Sequence, residues 1–154
     1  MAGRKTQTVA SGREAPMQVR RCGRDGALPV LFLAGEIDIE TAPDVERHLR
    51  RVLGPFFHRH HLVIDLSQVS LVDSTFLRLV ASLARRLHAE RRELVLCGPV
   101  GPVRRVLALV GVPNVVPVYE SLGDAVSALD GARLPLIPPR FAAARQASGA
   151  GPTV

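Results

Sequence analysis

Three consecutive polar residues, Asp73, Ser74 and Thr75, immediately precede the most strongly amphipathic stretch of the chain. A serine at the start of a helix commonly serves as its N-cap, because the hydroxyl oxygen accepts a hydrogen bond from an unpaired backbone N–H. The same N–H groups and the positive end of the helix dipole also tolerate a phosphate. Phosphorylation of Ser74 would add about two negative charges, and the cost would fall on any partner that buries this surface. The spacing alone leaves both roles open, cap and modification site.

Asp38, Asp65 and Asp73 are candidate catalytic carboxylates, but a hydrolytic site at Ser74 would also need a positioned base. The histidines do not supply one, since each precedes a predicted strand or falls late in a predicted helix: His48, His58, His60, His61 and His88. A Ser-His-Asp site is therefore disfavoured, and the chain is predicted not to be an enzyme.

The segment 58–61, His-Arg-His-His, contains three histidines, which are common metal ligands, but it lacks the ligand spacing that is usual in metal sites. No cysteine or carboxylate lies nearby in sequence, and the interleaved Arg59 opposes a cation, so a solvated loop is the better interpretation. The turn 98–102 lacks the lysine and the glycine spacing of nucleotide-binding loops. Neither a metal nor a cofactor is predicted.

The elements that must position these residues alternate between short strands and amphipathic helices. Apolar runs indicate strands at 17–22, 29–33, 61–66, 93–97 and 115–119. Proline or capping residues at the start, and helical spacing of apolar residues, indicate four helices, which begin after Thr41, Asp73, Gly101 and Ser121. The order β-β-α-β-α-β-α-β-α predicts an α/β fold with a mixed, mostly parallel sheet of about five strands and about four helices.

In a parallel sheet the carboxyl ends of the strands and the amino ends of the following helices share one edge. Ligands and partners of open α/β sheets commonly bind there. The sequence therefore predicts that a set of residues gathers at this edge: Asp38, Ser67, Asp73, Ser74, Thr75, Gly98 and Pro99.

The 154 residues carry a formal net charge of +6, which is unevenly distributed. Residues 17–130 hold fourteen basic and thirteen acidic side chains, whereas residues 131–154 hold three arginines and no acid. With no Trp and one Tyr, a nearly neutral fold offers few rings for base stacking, so direct nucleic-acid binding is disfavoured. No apolar run approaches the roughly 20 residues of a membrane span. The two cysteines are too few for a disulfide scaffold, so a cytoplasmic protein that does not bind membranes is predicted.

Composition divides the chain into three parts. Residues 1–16 are polar without sustained periodicity, which predicts a flexible arm. Residues 17–130 carry the strand and helix signals of a single domain. Residues 131–154 are rich in Pro, Ala and Gly and are predicted to form a flexible tail, with a short Ala-rich helix around 141–147.

Several short motifs follow one another along the chain: LAGEID at 33–38 with TAP at 41–43, VIDLSQV at 63–69, LVDS at 71–74, LVLCGP at 94–99, VRRVL at 103–107 and YESLGDA at 119–125. Taken in this order, they resemble the STAS-domain proteins, a family that includes bacterial anti-sigma factor antagonists. The resemblance covers residues 17–130 and implies a single STAS-like domain.

The resemblance also implies a regulatory switch that controls sigma-factor-dependent transcription. An antagonist of this family binds an anti-sigma factor, usually a serine kinase, and so releases a sigma factor. The kinase phosphorylates the serine that follows the Asp of the D-S motif, here Ser74, and a separate phosphatase reverses the reaction. By the same resemblance, Asp73 orients the site, and Asp38, Thr75 and Phe76 contribute to the partner surface.

Phe76 and Arg78 stand where the family usually has glycines. A glycine lets a partner backbone approach, whereas Phe76 is expected to place a bulky apolar group at or near the docking edge. The alternative is a STAS interaction module in a larger signalling assembly, or an antagonist of an anti-sigma protein that is not a kinase. In that case Ser74 would act only as a cap.

Overall fold

The computed structural model describes residues 16–130. The predicted tail, with its Ala-rich helix, and all but Pro16 of the predicted arm lie outside the described residues. The elements follow the predicted order: β1 (Met17–Cys22), β2 (Leu28–Ile37), α1 (Ala42–Leu53), β3 (Leu62–Val72), α2 (Ser74–Ala89), β4 (Leu94–Cys97), α3 (Gly101–Leu109), β5 (Val118–Tyr119) and α4 (Leu122–Leu129). The predicted α/β class is confirmed.

The strands form a mixed sheet in the order β1-β2-β3-β4-β5. β1 and β2 pair antiparallel, and the later neighbours pair parallel. Right-handed crossovers that all step in the same direction place their helices on one face of a sheet. Accordingly, α1, α2 and α3 share a hydrophobic cluster with one face, and α4 covers part of the other.

The core alternates along the strands between these two faces. The larger cluster contains, among others, Leu31, Leu33, Ile64, Leu66, Leu94 and Leu96. The smaller cluster contains their neighbours Val30, Val63, Val95 and Cys97, packed with Ala125 and Leu129 of α4. Both faces of the central strands are therefore covered, which is why these strands are continuous apolar runs in the sequence.

β2 and β3 are longer than the sequence predicted. β3 continues from the expected end at residue 66 to Val72, and β2 pairs with it through two irregularities of register, as far as the pair Ile37 and Val72. β4 already ends at Cys97, opposite Asp65. Residues 34–37 and 66–72, called the β2–β3 extension below, therefore project beyond the rest of the sheet by about 13 Å, the span of the four β2 residues at ~3.3 Å per residue.

Candidate partner-binding site

The capping residue of α2 is Asp73, not Ser74. Its Oδ1 accepts hydrogen bonds from the backbone N–H groups of Thr75 (2.9 Å) and Phe76 (3.3 Å). Ser74 is the first residue of the helix, and its side chain is exposed, without a hydrogen bond to any residue from 16 to 130. The capping role that the sequence left open for Ser74 thus belongs to Asp73, and the Ser74 hydroxyl lies at the surface.

Phe76 is a core residue, which corrects the expectation that its ring lies at the docking edge. Its relative exposure is 0%. Phe76, Val80, Leu83 and Leu87 are spaced by four, three and four residues and form one buried stripe of α2. Glycine at this position would remove core volume and leave the partner-facing surface nearly as it is.

Asp38 and Asp73 are brought to the same place by the last pair of the β2–β3 extension. Ile37 and Val72 are partners across the two strands, and each aspartate follows one of them. Asp38 Oδ1 accepts the backbone N–H of Thr41 at 3.2 Å, and Thr41 Oγ1 accepts the N–H of Asp38 at 2.9 Å. These bonds fold residues 38–41 into the turn that leads into α1, so Asp38 has a structural role at this edge.

Three residues predicted for the same cluster lie elsewhere. Gly98 follows the end of β4 and lies so close to Ser67 that a Cβ on the glycine would be 3.3 Å from the Ser67 Cβ. Pro99 comes next in the chain. Ser67 precedes Asp73 by six residues of extended strand, a span of at most about 20 Å. The predicted cluster is therefore divided in two, because β3 runs well past the end of β4.

The polar residues around Ser67 stabilise the fold locally. Asp65 is buried and accepts hydrogen bonds from the backbone N–H (2.8 Å) and the hydroxyl (2.6 Å) of Ser67. Burial, reinforced by the nearby Asp65 carboxylate, raises the pKa of the Cys97 thiol to about 12. The thiol is protonated at neutral pH and therefore unreactive.

The histidines lie at the opposite end of β3 from Ser74, as predicted. His61 directly precedes β3, and its Nδ1 accepts the backbone N–H of Glu93 at 2.9 Å. Desolvation by burial lowers the pKa of His61, as it does for His48 and His60. Among residues 16–130, no His, Cys, Asp and Glu side chains cluster in a way that would hold a metal ion. In the same part of the chain, no helix has the length and apolar character to cross a membrane.

Two exposed apolar side chains, which the sequence analysis did not single out, flank the Ser74 edge. Ile39 follows Asp38 and is 70% exposed, and Leu71 is 46% exposed. Leu71 lies opposite Glu36 in the β2–β3 extension. The sequence carried no signal for Leu71, because strict alternation would place it on the same face as Val69, which is buried. The register irregularities between β2 and β3 interrupt that alternation. The site thus combines polar residues with apolar surface.

The charge of this edge is mostly negative. Residues 36–41 and 71–78 together hold four carboxylates and a single arginine, Arg78. Beside it, an open groove of about 580 Å³ runs between α1 and α2, and Thr75 and Arg78 form part of its wall. The edge therefore offers a hydroxyl, exposed apolar side chains and several carboxylates.

Known proteins resemble this chain over most of the described residues. Residues 20–125 match the family model of the STAS domain. The anti-sigma-B factor antagonist of Listeria monocytogenes is 31% identical over 96 residues, which is 61% of this chain and 81% of that protein. The anti-sigma-F factor antagonist RsfB of Mycobacterium tuberculosis is 30% identical over 106 residues, 68% of this chain and 84% of its own. The crystal structure of an anti-sigma factor antagonist from Mycobacterium paratuberculosis has a TM-score of 0.59 and 32% identity, covering 75% of this chain and 93% of that chain.

Proposed function

This chain belongs to the STAS domain family, and we propose that it is an anti-sigma factor antagonist. In this role it binds an anti-sigma factor, which releases a sigma factor for transcription, and it catalyses no reaction itself. The proposal is supported by relatives at 30–32% identity that are named anti-sigma factor antagonists. Its place of action would be the cytoplasm, and residues 17–130 would form the binding domain.

The proposed switch is phosphorylation of Ser74 by a serine kinase, which would be the anti-sigma factor itself, with a separate phosphatase to reverse it. The observation that carries this proposal is the division of roles at the start of α2. Asp73 provides the cap, whereas the Ser74 side chain is exposed. A phosphate can therefore be added to the hydroxyl without removing a hydrogen bond that holds the helix.

The proposed docking surface is the end of the β2–β3 extension together with the first turn of α2. Ile39 and Leu71 supply exposed apolar area, and Asp38, Asp73 and Thr75 supply polar groups around Ser74. Interfaces of this kind derive their affinity from a desolvated apolar centre and their specificity from the charged rim. Phe76 contributes from below by holding α2 against the sheet.

Phosphorylation would act on this surface through charge and desolvation. A phosphate carries about two negative charges at neutral pH, and the surrounding edge is already acidic. Burying such a group without a partner costs about 2–5 kcal/mol, which corresponds to a loss of affinity of roughly 30-fold to several-thousand-fold. A loss of affinity of this size is enough to separate a bound state from an unbound state.

The test has two parts, modification and binding. Incubation with ATP and the cognate kinase should add one phosphate, located at Ser74 by mass spectrometry, and Ser74→Ala should abolish the addition. In a binding assay with the anti-sigma factor, Ser74→Ala should bind like the unmodified protein and Ser74→Glu at least ten-fold more weakly. Ser127→Glu is the matched control, because Ser127 is an exposed serine of α4, on the other face of the sheet.

The outcomes separate the proposal from its alternative. Equal affinity of the Ser74→Ala and Ser74→Glu variants would reject the switch. Absence of any phosphate on Ser74, with binding retained, would favour an interaction module that acts on a non-kinase anti-sigma protein or within a larger signalling assembly.

A further inference from the structure

Arg78 lies one helical turn beyond Ser74 on α2, and both side chains are exposed. Side chains four residues apart on a helix are neighbours, with Cβ atoms about 5–6 Å apart. The pair is more favourable when the acidic group comes first and the cation lies four residues later in the chain. Arg78 is thus in place to reach a group attached to the Ser74 hydroxyl.

Arg78 differs from the other arginines that line the groove between α1 and α2. Arg47 pairs with Asp44, and Arg50 pairs with a glutamate one turn before it at 2.9 Å. Arg78 makes no ion pair or side-chain hydrogen bond with any residue in the described range. Among the described arginines that line this groove, Arg78 is therefore the one without an ion pair within the chain's described part.

A phosphate on Ser74 would find few other partners. The backbone N–H groups of Thr75 and Phe76, which would otherwise face an anion at the start of the helix, already donate to Asp73. The Asp73 carboxylate is adjacent in sequence and repels the phosphate. The charge balance at this position therefore depends on a side chain, and Arg78 is the one within a turn.

We propose that Arg78 is the counter-ion of phosphorylated Ser74 and closes an ion pair across the first turn of α2. This inference rests on the proposed phosphorylation of Ser74. It adds that modification changes two features of the surface at once: a phosphate appears at the start of α2, and the charge of the Arg78 guanidinium, which lines the groove, is neutralised. Both changes alter the charge that a partner would meet at this edge.

The pair can be tested without a kinase by producing the full chain with phosphoserine installed at position 74 during translation. A ³¹P NMR titration then gives the pKa of the second phosphate ionisation. A nearby cation favours the dianion, so this pKa should be lower by about 0.15–0.4 in the unsubstituted chain than in Arg78→Gln, since an i,i+4 ion pair is worth about 0.2–0.5 kcal/mol and one pKa unit about 1.4 kcal/mol. Arg78→Lys should retain about half of the difference, since a point charge replaces the planar fork.

Arg85→Gln is the matched control. Arg85 is exposed on α2, eleven residues and about 16 Å from Ser74 along the helix, which is beyond the ~10 Å screening length at 0.1 M salt. Its titration should coincide with that of the unsubstituted chain. Coincident titrations of the unsubstituted chain and Arg78→Gln would overturn the inference, and so would an equal shift for Arg85→Gln. The phosphate is installed during translation, so this titration does not depend on a kinase. A failure of the kinase to modify Ser74 would therefore refute the proposed switch without affecting the measured ion pair.

Discussion

Replacement of Asp73 by alanine is expected to destabilise the fold through the start of α2. The substitution leaves the backbone N–H groups of Thr75 and Phe76 without the oxygen that accepts them at 2.9 and 3.3 Å. It also removes a negative charge from the positive end of the helix dipole. α2 is the longest helix described, at 16 residues, and buries Phe76 and Leu83. Fraying at its start would therefore loosen the packing of Phe76 in the core.

The magnitude follows from these two terms. Loss of an N-cap side chain costs about 1 kcal/mol (range about 0.5–2), and loss of a charge at the helix N-terminus costs about 0.3–1 kcal/mol. We therefore expect Asp73→Ala to lower the free energy of unfolding by about 1.5–2 kcal/mol, or the Tm by roughly 8 °C at ~5 °C per kcal/mol. Asp73→Asn retains an oxygen acceptor and should lose about 0.5 kcal/mol, the charge term alone.

Urea unfolding followed by circular dichroism measures both variants at pH 7. The matched control is Ser121→Ala, which removes a single capping bond of 3.1 Å from the eight-residue helix α4 and should cost about 0.5–1 kcal/mol. A loss for Asp73→Ala within the ~0.5 kcal/mol expected of an ordinary surface substitution would contradict the capping role of Asp73. Equal losses for Asp73→Asn and Asp73→Ala would contradict it as well, because the asparagine keeps the oxygen that accepts the hydrogen bonds.

Three further predictions concern the core, the histidines and the thiols. Phe76→Ala should cost about 3–5 kcal/mol in urea unfolding, whereas Phe56→Ala, at a side chain 55% exposed, should cost less than about 1 kcal/mol; equal losses would contradict the burial of Phe76. Burial lowers the pKa of His61 in the folded chain below the ordinary 6.5, so the unfolded chain binds more protons and stability should fall as the pH drops below that value. His61→Asn keeps an acceptor without titrating and should flatten this decline, and an unchanged pH profile would contradict the assignment. Because the Cys97 pKa is raised to about 12, a thiol reagent at pH 7.5 should label Cys22 in the native protein and reach Cys97 only on unfolding; equal native labelling rates would count against this.

Helix positions and strand order could be predicted because they depend on local patterns. The apolar spacing after Asp73 and the proline at position 43, beside the N-terminus of α1, are signals within one or two turns. The order of strands then required a mostly parallel sheet, and the parallel sheet brought Asp38 and Asp73 to one edge. The residues at that edge could be predicted from the sequence because they are determined by the order of strands and helices and not by side-chain contacts.

The position of Ser67 could not be predicted in the same way. The polar segment 67–70 is typical of a loop, yet it is extended because β2 pairs with it through irregular register. Pairing between distant segments leaves no periodic signal when bulges interrupt the alternation. The length of β3, and with it the separation of Ser67 from Asp73, therefore depends on tertiary contacts.

The burial of Phe76 was, by contrast, readable from the sequence. Phe76 lies four residues before Val80, in phase with Leu83 and Leu87, and helical spacing alone assigns it to the buried stripe. The family resemblance pointed the other way, because it aligned Phe76 with a glycine at a docking edge. Periodicity within the chain was the better guide here, since the direction of a side chain depends on helical phase and not on what a relative places there.

The arrangement at Ser74 favours a switch that acts through surface charge without a change of fold. The hydroxyl projects from the first residue of α2, while the cap belongs to Asp73 and the anchor to Phe76. Ser74 is exposed and belongs to neither hydrophobic cluster, so a group added to its hydroxyl lies at the surface. A phosphate on Ser74 would thus leave the two hydrophobic clusters intact, and its effect would fall directly on the proposed docking surface around Ile39 and Leu71.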